Sequence, residues 1–293
     1  MGKSILVTGA NKGIGLAICS QILLRDPDTR VLLGSRDKVR GEAAAAGLGA
    51  LADRVSVVVM DVGDDASVTA AAAAIAEKLG EEKLYAIVNN AGVAEGEMPS
   101  MLNTNVLGCK RVTEAFVGLV QTGGRIVFIS SAIGPSFVAK CTPAKQAAFI
   151  DPKASWADIE AMMAAPLALE KAGAAPAEYT KVGFGEHDGF FAYGLSKACL
   201  NMYNHVVARE NPALVVNACT PGFIETDLTR PMAAARGKTP AEMGMKGTEA
   251  GAVSALHLLF AELEGNGRYY GSDAVRSPLD QYRGPGDPPY TGK

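Results

Sequence analysis

The sequence Tyr193-Gly-Leu-Ser-Lys197 combines a phenol and an ammonium group at a spacing suited to proton chemistry. In a helix, residues four positions apart lie on the same face, so the two groups would be neighbours. A free tyrosine, with a pKa near ~10, is a poor proton donor at neutral pH, and a nearby positive charge favours its ionised form. This pair is a candidate acid–base centre, although the same spacing also occurs by chance on solvated helix faces.

Three other polar segments interrupt apolar stretches. Ser130 and Ser131 follow the strand-like residues 125–129, and ligands bind at the carboxyl ends of strands in open α/β sheets. Asn105 lies in an apolar helical pattern over about 101–120, where asparagine is unfavourable, so it either caps something or has a function. Asn89-Asn90-Ala91-Gly92 ends another strand, where small residues leave room for a cofactor ring, unless the segment is only a turn.

The N-terminal residues have the pattern of a strand, a glycine turn and a helix. Ser4 to Gly9 is strand-like, and the helical pattern runs from Leu16 to Leu24. Glycines permit a tight turn close to a diphosphate, which the free N–H groups of the following helix would bind. The spacing differs from the general Gly-x-Gly-x-x-Gly fingerprint, so an ordinary glycine turn stays open. The predicted dinucleotide contacts here are Gly9, Asn11, Lys12, Gly13, Ile14 and Gly15.

The ends of the second and third strands bear on cofactor choice. Ser35-Arg36-Asp37 follows the second strand, where an acid would bind the ribose 2′-hydroxyl of NAD and an arginine would attract the 2′-phosphate of NADP. Arg36 and Lys12 favour NADP, while Asp37 is a complication unless it caps the next helix, 38–51. Asp61-Val62 ends the strand 54–60, and its carboxylate would meet an adenine amino group or cap a loop.

Strands alternate with helices along most of the chain, which predicts an α/β fold with a doubly wound parallel sheet and helices on both faces. The alternation stops over about 132–191, too long for an ordinary connection, so this insertion should have its own structure, as a lid or an oligomer blocker. Within it, Ser155 and Asp158 mark the start of a helix to Lys171.

After the insertion the alternation resumes in a single predicted domain, 1–293. We expect a helix over 192–210, a strand at 213–217, a capping box that begins a helix at Thr239-Pro-Ala-Glu242, a helix over 248–262 and a strand near 268–270. The tail, about 277–293, is rich in Pro and Gly and is predicted to be poorly ordered. Pro221, Gly222 and Phe223 open a loop after the strand at 213–217.

Composition limits the function classes. A net charge of -3 with a pI near 5.7 and no basic block argues against nucleic acid or an anionic membrane as partner. The five widely spaced cysteines fit reduced core thiols better than disulfides or a metal site, so we expect no metal. Met1-Gly-Lys-Ser-Ile-Leu resembles no leader and no apolar run is long enough for a span, so a cytoplasmic protein is expected.

Together, these motifs resemble the short-chain dehydrogenase/reductase family over nearly the whole chain. Within that family, the glycine turn, the Ser-Arg-Asp after strand two and the long insertion are most similar to the carbonyl reductase branch, which is NADPH-dependent and commonly monomeric. The segment between Gly92 and Asn105 is shorter than in vertebrate carbonyl reductases, and the insertion has its own composition, so substrate preference is not carried over. The motifs are Thr8-Gly9-x-x-x-Gly13-Ile14-Gly15, Asn89-Asn90-Ala91-Gly92, Asn105, Ser131, Tyr193-x-x-x-Lys197 and Pro221-Gly222.

The resemblance implies reduction of aldehyde or ketone carbonyls, or the reverse oxidation of alcohols, with NADP(H). Tyr193 would be the general acid, and Lys197 would assist it and bind the nicotinamide ribose. Ser131 would donate to the carbonyl oxygen, with Ser130 the lesser candidate, and Asn105 would hold a water. The expected cofactor contacts beyond the glycine turn are Arg36, Asp61, Val62, Asn90, Ala91, Gly92, Tyr193, Lys197, Pro221, Gly222, Phe223 and Thr226.

Two other functions compete. A serine hydrolase would use Ser196 with His187 and Asp188, but Ser196 lacks the Gly-x-Ser-x-Gly elbow and would sit inside a helix. The more serious alternative is a non-catalytic NADP(H)-binding sensor or interaction protein on the same fold, because fold does not fix function. The apolar residues Met162, Met163, Phe184, Phe190, Phe191 and Phe223 could line a substrate pocket or belong to the core.

Overall fold

The computed structural model describes residues 2–292, so the first residue of the chain and the last residue of the predicted tail lie outside it. The described residues form one seven-stranded sheet in which every pair of neighbouring strands is parallel. Its order is β3-β2-β1-β4-β5-β6-β7. Strands β2 and β3 are added on one side of β1 and the last four on the other, so the strand order switches between β1 and β4. The strands are β1 Ser4–Val7, β2 Arg30–Ser35, β3 Val55–Val59, β4 Leu84–Asn89, β5 Val120–Ile129, β6 Val215–Cys219 and β7 Tyr269–Tyr270.

Helices cover both faces of the sheet, which confirms the predicted α/β doubly wound fold. The longest is α10, which carries the Tyr193 and Lys197 pair. The helices are α1 Gly13–Arg25, α2 Lys38–Ala46, α3 Asp65–Leu79, α4 Met98–Leu102, α5 Gly108–Phe116, α6 Ile133–Val138, α7 Pro143–Phe149, α8 Trp156–Lys171, α9 Pro176–Lys181, α10 Phe191–Glu210, α11 Arg230–Ala234 and α12 Thr248–Phe260.

Alternation within the strands divides the core into two layers. In β1, Ile5 and Val7 pack towards α1 and α12, whereas Leu6 packs towards the face covered by α3, α5 and α10. All three side chains are buried because each face of the sheet carries helices. The strand ends are thereby held rigidly at one edge of the molecule, where the polar segments follow them.

The insertion is helical and packs on α10. Helix α8 begins at the predicted capping box, in which the Ser155 hydroxyl accepts from the Asp158 N–H and the Asp158 carboxylate accepts from the Ser155 N–H. An aromatic cluster joins α6 to the start of α10, with ring centroids of Phe137 and Phe191 5.2 Å apart. Met162, Met163, Phe184 and Phe191 are buried in this core, while Phe190 and Phe223 are exposed.

Several predicted element bounds differ from the structure. The helical pattern expected over 101–120 is helical from Met98 to Phe116 with a π-helical turn at Asn103–Leu107, and it ends earlier because Val120 already belongs to β5. The capping-box hydrogen bonds between Thr239 and Glu242 form, but turns follow instead of the predicted helix. The sixth strand starts two residues later than expected because β5 and β6 pair from Arg125 and Val215 onwards.

The tail has neither helix nor strand over 277–292, yet it makes specific contacts. Arg283 donates to both carboxylate oxygens of Asp273, at 3.0 and 2.8 Å. Ser277 N–H donates to the Tyr269 carbonyl, so the start of the tail lies along the edge strand β7. These hydrogen bonds hold the tail against the rest of the domain, although its composition predicts a poorly ordered segment.

The five cysteines are free and buried, as their spacing predicts. Burial raises the pKa of the Cys109 thiol to about 11, so this side chain is a neutral core residue at pH 7. Within residues 2–292, no three His, Cys, Asp or Glu side chains come together as metal ligands. Over the same residues, no helix has the length and apolar character needed to cross a bilayer.

Candidate active site

The glycine turn adopts a conformation that requires glycine at two positions. Gly9 and Gly13 have φ of 61° and 57°, in the left-handed region that disfavours side chains. A Cβ at Gly9 would lie 2.8 Å from the Ala91 Cα atom, so the turn also packs tightly against the end of β4. The N-cap of α1, Lys12, makes no side-chain cap bond, which leaves the first N–H groups of the helix available to an anion.

Thr8 and Asn90 join the turn to the neighbouring strand end. The Thr8 hydroxyl accepts from the N–H groups of Asn90 and Ala91, each at 3.0 Å. The Asn90 side-chain amide donates to the Thr8 and Gly9 carbonyls at 2.8 and 3.2 Å. Asn90 therefore has a structural part in holding the turn, in addition to its position on the cleft wall.

A cavity of about 610 Å³ runs along these strand ends, and we call it the cofactor cleft. Its volume lies in the range of small-molecule sites. Among the predicted cofactor residues, Tyr193, Lys197, Pro221, Gly222 and Phe223 do not line this cavity. Those that do are Gly9, Asn11, Lys12, Gly13, Ile14, Gly15, Arg36, Asp61, Val62, Asn90, Ala91, Gly92 and Thr226.

The charged end of the cleft contains two arginines, Arg36 and Arg40. Both are exposed, and Arg36 has no hydrogen-bond or ion-pair partner in the part of the chain that the structure describes. Asp37 accepts from the Arg40 N–H at 2.9 Å and caps α2, and this hydrogen bond lowers the pKa of Asp37. The Asp37 carboxylate therefore caps α2, which is the helix-cap interpretation given above.

Asp61 makes a local contact at the same end. Its Oδ1 accepts from the Gly63 N–H at 2.9 Å, so the carboxylate caps the loop that follows β3, as one of the two interpretations predicts. The residue also lines the cleft, so the adenine-facing interpretation stays compatible with its position.

Sequence reasoning missed part of the cleft wall. Arg40 also lines the cleft from the first turn of α2, four residues after Arg36, and its nearness in sequence could have indicated it. Asp227 and Arg230 come from the loop and helix after β6, far away in sequence, and no local pattern marks them. Asp227 pairs with Lys12 at 2.6 Å and with Arg230 at 2.6 Å, so a chain of opposite charges spans the opening. The hydrogen bond from Lys12 lowers the pKa of Asp227.

Helix α10 brings the phenol and ammonium together as the spacing predicts. The Lys197 Nζ atom lies 5.6 Å from the centre of the Tyr193 ring. Lys197 is only 4% exposed, and its ammonium donates to the Ile129 carbonyl at 3.0 Å, at the carboxyl end of β5. A cation is therefore fixed beneath the cleft wall, beside a tyrosine that remains partly accessible.

Asn105 and Gly92 connect this pair to the cleft. Asn105 is fully buried in the π-helical turn, a conformation that often marks functional sites. Its side-chain amide accepts from the Val93 N–H at 2.9 Å and donates to the Val93 carbonyl at 2.8 Å. A Cβ at Gly92 would lie 3.2 Å from Asn105 Oδ1 and 3.6 Å from Lys197 Nζ, so the cleft wall is thin here.

The two serines after β5 point to different surroundings. The Ser130 residue is buried, and its hydroxyl donates to the Lys197 carbonyl at 3.4 Å. The Ser131 side chain is partly accessible and accepts from the Ile133 N–H at 3.2 Å, which leaves its own O–H free to donate. This difference favours Ser131 over Ser130 as a group that can meet a substrate.

The residues of the hydrolase alternative are not brought together. Ser196 is fully buried inside α10 and bonds to the Tyr193 carbonyl at 2.8 Å. His187 stacks on Phe191 with ring centroids 4.8 Å apart, and Asp188 pairs with Lys140 at 2.8 Å. No nucleophile–base contact arises among the three.

Comparison with known proteins gives the family. The sequence profile described as short chain dehydrogenase matches residues 3–147. Short-chain dehydrogenase/reductase 1 of Saponaria officinalis is 30% identical over 299 residues, covering 88% of this chain and 90% of that protein. The chain belongs to the short-chain dehydrogenase/reductase family.

Within the short-chain dehydrogenase/reductase family, the chain lies on the carbonyl reductase branch. Carbonyl reductase [NADPH] 1 of Macaca fascicularis is 28% identical, covering 94% of this chain and 97% of that protein. The solved structure of salutaridine reductase from Papaver somniferum is 26% identical with a TM-score of 0.76, covering 92% of this chain and 99% of that one. This short-chain dehydrogenase/reductase is therefore an enzyme of an oxidoreductase family with small-molecule substrates.

Proposed function

We propose that the enzyme reduces aldehyde or ketone carbonyls with NADPH, and oxidises the corresponding alcohols in reverse. The observation that carries this proposal is the buried Lys197 ammonium, which lies 5.6 Å from the Tyr193 ring and directly behind Gly92 of the cleft wall. Carbonyl reduction requires a proton donor at the oxygen, and a cation fixed beside a phenol stabilises the negative charge left when the phenol gives up its proton. The relative from Macaca fascicularis carries NADPH in its name, in agreement with this chemistry.

The cleft residues fit the cofactor. Gly9 and Gly13 in the left-handed region and the uncapped start of α1 form a cradle for a diphosphate. At the other end, Arg36 and Arg40 offer positive charge to a 2′-phosphate, while the Asp37 carboxylate is occupied by its helix. The ribose of NAD would lack a free acidic partner there, so we propose NADP(H) as the preferred cofactor.

Each polar residue then has one step to perform. NADPH, when held in the cleft, would supply the hydride for the carbonyl carbon. Ser131 donates a hydrogen bond to the carbonyl oxygen and stabilises the negative charge that develops on it. Tyr193 transfers its phenolic proton to that oxygen, and Lys197 stabilises the phenolate that remains. Asn105 fixes the backbone around Val93 and positions the path by which the proton is restored.

The direct test is NADPH oxidation by the purified chain with a panel of aldehydes and ketones, repeated with NADH. We expect turnover with at least one carbonyl class and a preference for NADPH. Tight NADPH binding without turnover on any member of the panel would instead support the sensor function. The absence of both binding and turnover would contradict the proposal outright.

We also propose that the protein is a single-domain monomer. Fifteen of the twenty residues of α10 are buried within the chain, because the insertion helices α6 and α8 cover it. Little of that helix is left to pair with a second copy. Size-exclusion chromatography with light scattering should give a mass near the 30.3 kDa of one chain, and a dimer mass would contradict the proposal.

A further inference from the structure

A second cavity of about 650 Å³ lies on another side of the molecule and has no lining residue in common with the cofactor cleft. Three segments enclose it: the insertion near Ile150, the carboxyl-terminal half of α10 near His205, and the chain from Asn266 through β7 into the tail. We call it the tail cavity and define it by Ile150, His205, Arg268, Leu279 and Tyr290.

Arg268 is the unusual group in the tail cavity. Its Nε atom is buried without a hydrogen-bond partner, and its guanidinium has no ion pair within residues 2–292. The backbone of Arg268 is fixed next to β7, since its N–H donates to the Asn217 side chain at 2.7 Å. Leaving a buried donor unpaired is costly, so the arrangement invites an acceptor that the chain itself does not provide.

No other charged residue of the cavity wall neutralises the positive charge of Arg268. Arg209 uses its guanidinium on the Pro152 and Ala154 carbonyls, at 2.7 and 2.9 Å. Arg276 donates to the Gly292 carbonyl and lies over the Tyr290 ring. The acidic residue of the wall, Asp280, forms no ion pair with any described arginine. Three arginines against one aspartate make the cavity positive.

His205 adds a second unpartnered group. Its Nδ1 atom is buried and has no hydrogen-bond partner in the described chain. Burial, together with the nearby charges of Arg268 and Arg209, lowers the pKa of His205, so the ring is neutral at pH 7. A neutral imidazole can donate to or accept from a ligand without adding a charge.

We propose that the tail cavity binds a small organic carboxylate with an apolar body, paired with the Arg268 guanidinium. A guanidinium matches the two oxygens of a carboxylate with parallel hydrogen bonds. Ile150, Leu279 and the Tyr290 ring supply apolar walls, which a compact inorganic anion would leave uncovered. The volume suits such a ligand, and the site does not depend on the proposed carbonyl reduction.

Isothermal titration of the full chain with three probes tests the ligand class. The probes are 4-phenylbutyrate, its neutral analogue 4-phenylbutyramide, and inorganic phosphate. We expect 4-phenylbutyrate to bind at least about tenfold more tightly than either of the others, because it alone offers both charge and apolar body. Equal affinity for the amide or for phosphate, or no binding of 4-phenylbutyrate at millimolar concentration, would overturn the proposal.

Variants locate the binding. Arg268→Met should weaken 4-phenylbutyrate binding by at least about tenfold, whereas Arg30→Met, at an exposed arginine outside the cavity, should change it less than about twofold. Because it removes a buried, unpartnered Nε donor, Arg268→Met should melt no lower than the wild type. Leu279→Trp, which fills the apolar part, should also abolish binding. Unchanged binding in both cavity variants would contradict the assignment.

Discussion

The two cavities hold their arginines under different physical conditions. In the cofactor cleft, Arg36 is exposed, so water satisfies its guanidinium when no ligand is bound. In the tail cavity, Arg268 has a buried, unpartnered Nε, so the folded chain carries a desolvation cost. The comparison teaches that removing an exposed arginine should change ligand preference with little effect on stability. Removing an arginine whose Nε is buried and unpartnered should change both ligand binding and stability.

The largest effect is expected at the fixed cation of the active site. Lys197→Met removes the charge beside Tyr193, and we expect kcat for NADPH-dependent reduction to fall by about 10²–10⁴, the range for acid–base catalysis. The tail cavity should be unaffected, because Lys197 is not part of its wall. Steady-state kinetics and 4-phenylbutyrate titration measure the two outcomes.

Lys83→Met is the matched control, since this exposed lysine makes only a surface hydrogen bond to the Gly118 carbonyl. A loss of turnover in Lys83→Met equal to that in Lys197→Met would indicate a general effect of losing a lysine, and the special role of the buried cation would be wrong.

The next largest effect is expected for Arg36→Ala, which tests the contrast between the exposed arginine of the cofactor cleft and Arg268 of the tail cavity. We expect the KM for NADPH to rise about 10- to 100-fold, because a charged hydrogen bond is worth roughly 1.5–3 kcal/mol, while the KM for NADH stays nearly constant. The melting temperature should not change, in contrast to Arg268→Met. Equal losses with both cofactors would contradict the assignment of Arg36 to a 2′-phosphate.

The ion pair that attaches the tail, between Arg283 and Asp273, gives a pH-dependent prediction. The hydrogen bonds from Arg283 lower the pKa of Asp273 below its ordinary 3.8. The stabilisation is therefore complete well above pH 3.8 and is lost as the pH falls through the lower, folded-state pKa. Asp273→Asn should reduce the free energy of unfolding at pH 7 by about 1–3 kcal/mol, with the difference from wild type shrinking in acid.

Urea titrations at a series of pH values measure this difference. Asp280→Asn serves as the control in the same segment, because Asp280 forms no ion pair in the described chain and its substitution should change the free energy of unfolding only slightly at pH 7. A constant difference between Asp273→Asn and wild type down to acid pH would exclude the ion pair as its source.

The smallest effect is expected at the mouth of the cofactor cleft. Asp227→Asn releases Lys12 from an exposed ion pair worth less than about 1 kcal/mol, so stability should hardly change. The freed ammonium can approach the phosphates, and we expect NADPH to bind about two- to fivefold more tightly at low salt. Fluorescence titration at two salt concentrations tests this, and weaker binding would show that Asp227 supports the cleft.

The sequence predicts the cleft better than the tail cavity for a physical reason. The cleft is built at the ends of successive parallel strands, so short motifs such as Gly9 to Gly15 and Asn90 to Gly92 each indicate one part of it. The tail cavity is assembled from segments near 150, 205, 268 and 279–290, and no short-range pattern connects them. Side-chain pairing such as Lys12 with Asp227 is likewise invisible before the chain is folded.

The most direct test of the central claim is single-turnover NADPH oxidation by Tyr193→Phe, measured beside its equilibrium affinity for NADPH. The account predicts that the rate of the chemical step falls by about 10²–10⁴ while the Kd for NADPH stays within about threefold of wild type, because only the transferable proton is removed. An unchanged rate, or a Kd that weakens as much as the rate falls, would contradict the role of Tyr193 as the general acid.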